Sequence, residues 1–341
     1  MEAKLKYLLF LFWLASFQAI GQNPGEYLQQ ISSEYTKVNH EMMSYISAVS
    51  HGKSARKIDK RRTELVKQII LAESNIRKMK GFNGKTVLRD SVVAYFDLSE
   101  KVLNKRYSQI MDLEAMAEDS YDNMELYLAA KEKAEVIMEN AGDRIDSIVS
   151  IFAKENNIKL VEGSSNLSKK LAKASKVNEY YNKIYLLYFK CYKDDAYLFN
   201  AIEKGSTIEQ LQFSEQMKLN AKENLEKLKL TQPFAGDETL KTACRNALEF
   251  FTFEGNNVKI FTDFTIEKEK FEKIKQTFEK KSEANRTKKD FDEYNSAVAN
   301  YNKALGEYNK QLQVLNKKRN DTFNNWEKMS SAFLNKHVPR Y

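Results

Sequence analysis

The chain has 341 residues, with 55 Lys+Arg against 47 Asp+Glu, 42% apolar and 12% aromatic residues, but only 11 Gly and 3 Pro. So few backbone breakers exclude a sheet-rich, collagen-like or linker-dominated chain. The apolar fraction is enough for a packed core in one or two domains, which excludes wholesale disorder.

The first predicted element is an export signal. Lys4 and Lys6 precede an apolar run from Tyr7 to Ile20, and Ala19 and Gly21 put small residues where a signal peptidase reads. A membrane span needs about 20 apolar residues; this run is shorter, so residues 1–21 are expected to be a cleaved signal peptide. No second hydrophobic run follows, which predicts a mature chain without a transmembrane span, in the periplasm or on the outer surface of a Gram-negative bacterium. The cleavage region carries no lipid-anchoring Cys.

From residue 22 onward, apolar spacings of three and four recur and sustained alternation of two does not, so the fold class is all-α. Ile31, Tyr35, Val38, Met42, Tyr45 and Val49 line a first helix; Ile58, Arg62, Leu65, Ile69, Ala72, Ile76 and Met79 line a second, with Gly52 turning between them. A third helix is predicted from about Thr86 and a fourth from about Tyr121, with a polar connection over residues 156–165. This divides the chain into an N-terminal bundle unit, 22–165, and a C-terminal one, 166–341.

The second unit echoes the first. Thr36-Lys37-Val38-Asn39 returns as Ser175-Lys176-Val177-Asn178, and Phe82-Asn83-Gly84 with Leu88 returns as Phe234-Ala235-Gly236 with Leu240. The two offsets, 139 and 152, predict a 13-residue insertion as an extended helix before Gly205. A final helix of about six heptads runs from Thr287 to Asn335. Its a positions are Phe291, Val298, Leu305, Leu312, Arg319, Trp326 and Phe333, and its d positions include Tyr294, Tyr301, Tyr308, Leu315 and Met329. The expected architecture is thus two duplicated, elongated antiparallel bundles with a long C-terminal helix, through which a homodimer could form. Only Arg319 and Thr322 break the apolar seam; a polar step there either sets register or partner choice, which makes Arg319 a candidate partner-binding residue, or faces water.

Charge adds a candidate surface. Residues 268–341 hold 17 basic and 10 acidic residues, whereas residues 22–267 hold 36 of each. Lys280, Lys281, Lys288 and Lys289, with Arg286, suit an acidic envelope protein or an anionic glycan, against the plainer reading of a solvated helix face. Nucleic acid is a poor match for an exported chain without a reading module. Tyr294, Tyr301 and Tyr308 form a line that suits a protein or sugar surface, or else bundle core with hydroxyls at its edge. Tyr180, Tyr181, Tyr185, Tyr188, Tyr192 and Tyr197 form a second such helix.

Chemistry is sparse. His40, His51 and His337 form no HxxH or HxxxH pair and there is no CxxC, so no metal site is expected, and no cofactor. Gly84-Lys85-Thr86 resembles the end of a phosphate loop, but Met79 stands where the earlier glycine belongs, leaving a glycine turn entering a helix. Asp194 with Asp195 reads as solvated helix surface. Catalysis by carboxylates such as Glu41 or Asp195 would need them to converge in a cleft. Cys191 and Cys244 form either one disulfide in an oxidising compartment or two buried thiols acting as small hydrophobes.

The signal sequence, the early Tyr27, Ile31, Tyr45, Ile46 stripe and the closing Trp326, Phe333, Leu334, His337, Val338, Pro339 resemble an uncharacterised family of leptospiral-type exported helical surface proteins that is also common in Bacteroidota. The resemblance implies an envelope or surface location and a helical fold, and carries over no functional residues. The expectation is a non-enzymatic envelope or surface protein that binds a protein or glycan partner. The alternative is a periplasmic binding protein with a tyrosine-lined pocket between helices.

Overall fold

The computed structural model describes residues 10–11, 22–117, 120–162 and 166–341. The expected signal peptide lies almost wholly outside the described residues. Within it, β1 (Phe10–Leu11) pairs antiparallel with β2 (Val161–Glu162). The fold is all-α. The helices are α1 (Pro24–Ser50), α2 (Ala55–Lys78), α3 (Val87–Ala117), α4 (Tyr121–Glu155), α5 (Asn166–Lys204), α6 (Thr207–Leu230), α7 (Thr239–Asn256), α8 (Lys259–Lys280) and α9 (Lys288–His337).

Their ends follow local chemistry. Asn23 caps α1 by accepting from the Gly25 and Glu26 amides, with Pro24 in the first turn. Ser120 and Ser206 cap α4 and α6 in the same way. Among the described residues, no helix is long and apolar enough to cross a membrane.

Two compact units result, Met1–Asn182 with Ser331–Tyr341, and Lys183–Ser330. The boundaries between these compact units fall inside α5 and α9. Unit 1 buries Tyr27, Ile31 and Tyr35 of α1 against Leu65, Ile69 and Ile76 of α2, Val92 and Phe96 of α3, and Ile145, Val149 and Phe152 of α4. In unit 2, the buried layer comes from Ile184, Tyr188 and Leu198 on α5, Met217 and Leu228 on α6, Leu248 and Phe251 on α7, and Leu315 and Trp326 on α9.

The same two joints recur in each unit. Gly52 and Gly205 sit at φ 61° and 69°, and the amides one residue later reach back to Ala48 O at 3.1 Å and Ala201 O at 3.0 Å, closing α1 and α5 with Schellman caps. Phe82–Lys85 and Phe234–Asp237 are turns with positive φ at both central residues, closed by 2.9 Å hydrogen bonds; this is the type I′ signature.

Measured from these joints, the offset is 153 for the first helix pair and 152 thereafter. It aligns Ile31 with Ile184, Tyr35 with Tyr188, Val38 with Cys191, Ala48 with Ala201, Ile76 with Leu228 and Val92 with Cys244, each of them buried. The extra length of α5 thus lies at its N-terminal end and not just before Gly205. The Ser175–Asn178 echo is two heptads out of this register, which keeps the helix face and explains why it looked periodic.

Candidate functional site

Unit 2 encloses a buried charge cluster. Arg319, on α9, donates from Nε to Asp195 Oδ1 on α5 at 3.1 Å and from its terminal nitrogen to Glu254 Oε1 on α7. Its guanidinium lies 3.5 Å from the centre of the Phe199 ring. The side chains of Arg319, Asp195 and Glu254 are 11%, 7% and 2% exposed, so the seam break faces neither water nor a partner. Burial and the neighbouring Asp195 carboxyl push Glu254 well above the usual carboxylate range, against the pull of Arg319. The arrangement is two carboxyls sharing one cation, which favours a retained proton.

Further polar groups continue along the same core. Asp194 is buried too, accepting from Asn220 Nδ2 at 2.7 Å, and desolvation pushes it up to about 6. The surface expected for Asp194 and Asp195 is absent because α5 is the inner helix of unit 2: one carboxyl meets α6 and the next meets α9. Cys191 and Cys244 are free, buried thiols, so the disulfide is replaced by its alternative. Asn224 donates to Leu187 O at 2.9 Å and lies 3.9 Å from the Cys191 sulfur, and Cys244 faces Ile184 O at 3.8 Å. Burial raises both thiols, leaving them protonated and unreactive. In unit 1 the equivalents of Cys191, Asp195, Asn224 and Cys244 are Val38, Met42, Ala72 and Val92.

Asp195 and Glu254 do converge, but with Arg319 and Phe199 packed around them. A cavity of 590 Å³ lies in unit 1 between Phe82, Val87, Leu88, Ile148, Ile151 and Phe152, with Lys85 and Glu155 also lining it. Those two ion-pair at 3.0 Å, and no tyrosine lines the cavity. Among the described residues no His/Cys/Asp/Glu group could hold a metal. His51 bonds Asn335 at 2.8 Å, His337 packs on Phe333 and His40 on Tyr341.

The tyrosine line does not face outward. Tyr294, Tyr301 and Tyr308 stack on Phe278, Phe271 and Phe264 of α8 at 4.6, 4.9 and 4.5 Å. All three pairs are centred on Arg286, the mark of an antiparallel two-helix coiled coil. Within the chain, this part of the seam packs on α8. Tyr188 likewise stacks on Trp326 at 4.1 Å. The α8 phenylalanines were legible as a seven-residue repeat, which the sequence reading missed.

What remains exposed is the hairpin tip. From Ile266 to Ser296 no residue is buried, so here the two helices run without a third layer. Arg286 closes the turn, donating to Phe278 O and Lys281 O and covering the Phe278 ring at 4.4 Å. Thr287 and Asp290 form a reciprocal capping box. Lys281 reaches Asp290 at 2.5 Å and, with Thr287, holds that carboxyl down to about 2. Lys281 is thus engaged in the turn, whereas Lys280, Lys288 and Lys289 are exposed. Residues 273–289 carry seven basic and two acidic side chains, whereas the whole unlayered stretch 266–296 is nearly balanced, with nine and eight, so the positive charge is confined to the turn itself.

Comparison with protein-family models, with curated proteins and with solved structures returned no match for this chain.

Proposed function

We propose that the chain is a non-enzymatic protein of a bacterial envelope or surface that holds an anionic glycan at the tip of its α8–α9 hairpin. The observation that carries this is the basic tip on a stretch where two helices stand without a third layer. Clustered cations on such a support attract a polyanion through a field that salt screens within about 10 Å. The zipper with α8 stiffens the hairpin, and Arg319, clamped by Asp195 and Glu254, fastens α9 to α5 and α7. The leader pattern and the family resemblance support the envelope location.

The test is equilibrium binding of a polysulfated oligosaccharide by the full chain and by its Lys280→Glu/Lys288→Glu/Lys289→Glu variant. At low salt the variant is expected to lose at least about tenfold in affinity, and the wild-type affinity is expected to fall steeply as salt rises. Equal binding by both would remove the assignment. A second reading, a protein that binds a small apolar ligand, draws on the 590 Å³ cavity in unit 1. It predicts a saturable thermal shift that Ile151→Trp abolishes by filling the space.

A further inference from the structure

α6 carries apolar residues on two opposite faces. One face, including Ser214, Met217, Ala221 and Leu228, is buried in unit 2. On the other, Ile208, Leu219 and Leu230 are 78%, 53% and 83% exposed. At 100° per residue these three fall within about 40° of one another, opposite the buried stripe. The solvent pole of a helix is ordinarily polar, and in α2 the equivalent positions are Arg56, Lys67 and Lys78. One exposed leucine needs no explanation, but three along about 33 Å of helix do, even with the exposed Glu215 and Glu226 set between them.

The spacing identifies the occupant. Ile208 and Leu230 each lie eleven residues from Leu219, so the line is symmetric about that residue. Laid antiparallel on another α6 across a two-fold axis at Leu219, it sets Ile208 of each copy on Leu230 of the other and the two Leu219 side chains on each other. The charges agree. Glu215 lies four residues before Leu219 and Lys222 three after it, on one flank of the line and both exposed. The same axis brings Glu215 of each copy beside Lys222 of the other. Glu215 also pairs with Lys218 of its own helix at 2.5 Å, and a surface whose apolar line and charges match themselves across the axis is what an isologous contact requires. We propose that the outer face of α6 is a self-association surface whose occupant is a second copy of this chain, packed α6 to α6 in antiparallel register.

A helix pair of this length buries roughly 1,000 Å² in all, at the low end for a specific interface, so the dimer dissociates on dilution. Sedimentation velocity of the full chain over a dilution series tests this. The mass is expected to double at the concentrated end. Leu219→Glu, which sets like charges on the axis at an exposed position, should leave only monomer with unchanged helical circular dichroism. Lys222→Glu should weaken the dimer about tenfold, and adding Glu215→Lys to it should restore it. A monomer at every concentration would overturn the proposal. So would a dimer indifferent to Leu219→Glu, or a charge swap that restores nothing.

Discussion

Removing Arg319 or Asp195 alone leaves its partner's charge stranded in the core. Arg319→Met is expected to destabilise unit 2 by about 3–5 kcal/mol, and the triple variant Asp195→Leu/Glu254→Leu/Arg319→Met should recover most of that loss; urea unfolding reads both. Asp194 supplies a pH test. Its folded value is raised to about 6 by desolvation, so the folded state holds the extra proton. The stability this contributes is present below the unfolded value, about 3.9, and is lost as pH rises through 6. The loss is on the order of 3 kcal/mol. Glu254, also raised, extends the decline to higher pH. Asp194→Asn should flatten the slope between pH 4 and 7. A third test lies at Ala235, whose φ of 50° is a left-handed conformation that costs an ordinary residue about 1–2 kcal/mol. Asn83 fills the equivalent turn position in unit 1. Ala235→Gly should raise the thermal midpoint, with a gain of about 1 kcal/mol; an unchanged or lowered midpoint would contradict the turn geometry.

At the scale of elements, helical periodicity was legible because each helix buries one stripe, and a stripe repeats in sequence. The first two helices, the Gly52 turn and the long final helix follow from that alone. Which stripes meet was not legible, since a 3.6-residue pattern marks an inward face without naming its partner. Tyr294, Tyr301 and Tyr308 therefore looked like a free line until Phe278, Phe271 and Phe264 were placed opposite them. The same blindness hid the partners of Arg319, because Asp195 and Glu254 lie on helices 124 and 65 residues away in sequence. The stacked pairing makes a direct prediction: a double-mutant cycle on Phe271→Ala and Tyr301→Ala should give a coupling of about 0.5–1.5 kcal/mol. Additive effects would mean the rings do not support each other.

At the scale of the whole molecule, two units share their joints and buried positions while differing in what lines the core. Unit 1 closes around aromatic and aliphatic side chains. Unit 2 replaces several of them with Cys, Asn, Asp and Glu and extends into the α8–α9 hairpin. The C-terminal charge excess was legible from counting residues; that Lys280, Lys288 and Lys289 meet at one exposed turn was not, since that depends on α8 folding back along α9. Binding at this turn is the central claim, and it is local enough to map. The most direct measurement is lysine acetylation of the full chain with and without a polysulfated oligosaccharide, read by mass spectrometry. The account predicts that protection concentrates at Lys280, Lys288 and Lys289 and fades with salt, while exposed lysines elsewhere, such as Lys53 and Lys259, react as before. Protection spread evenly over the chain, or absent from the hairpin tip, would contradict it.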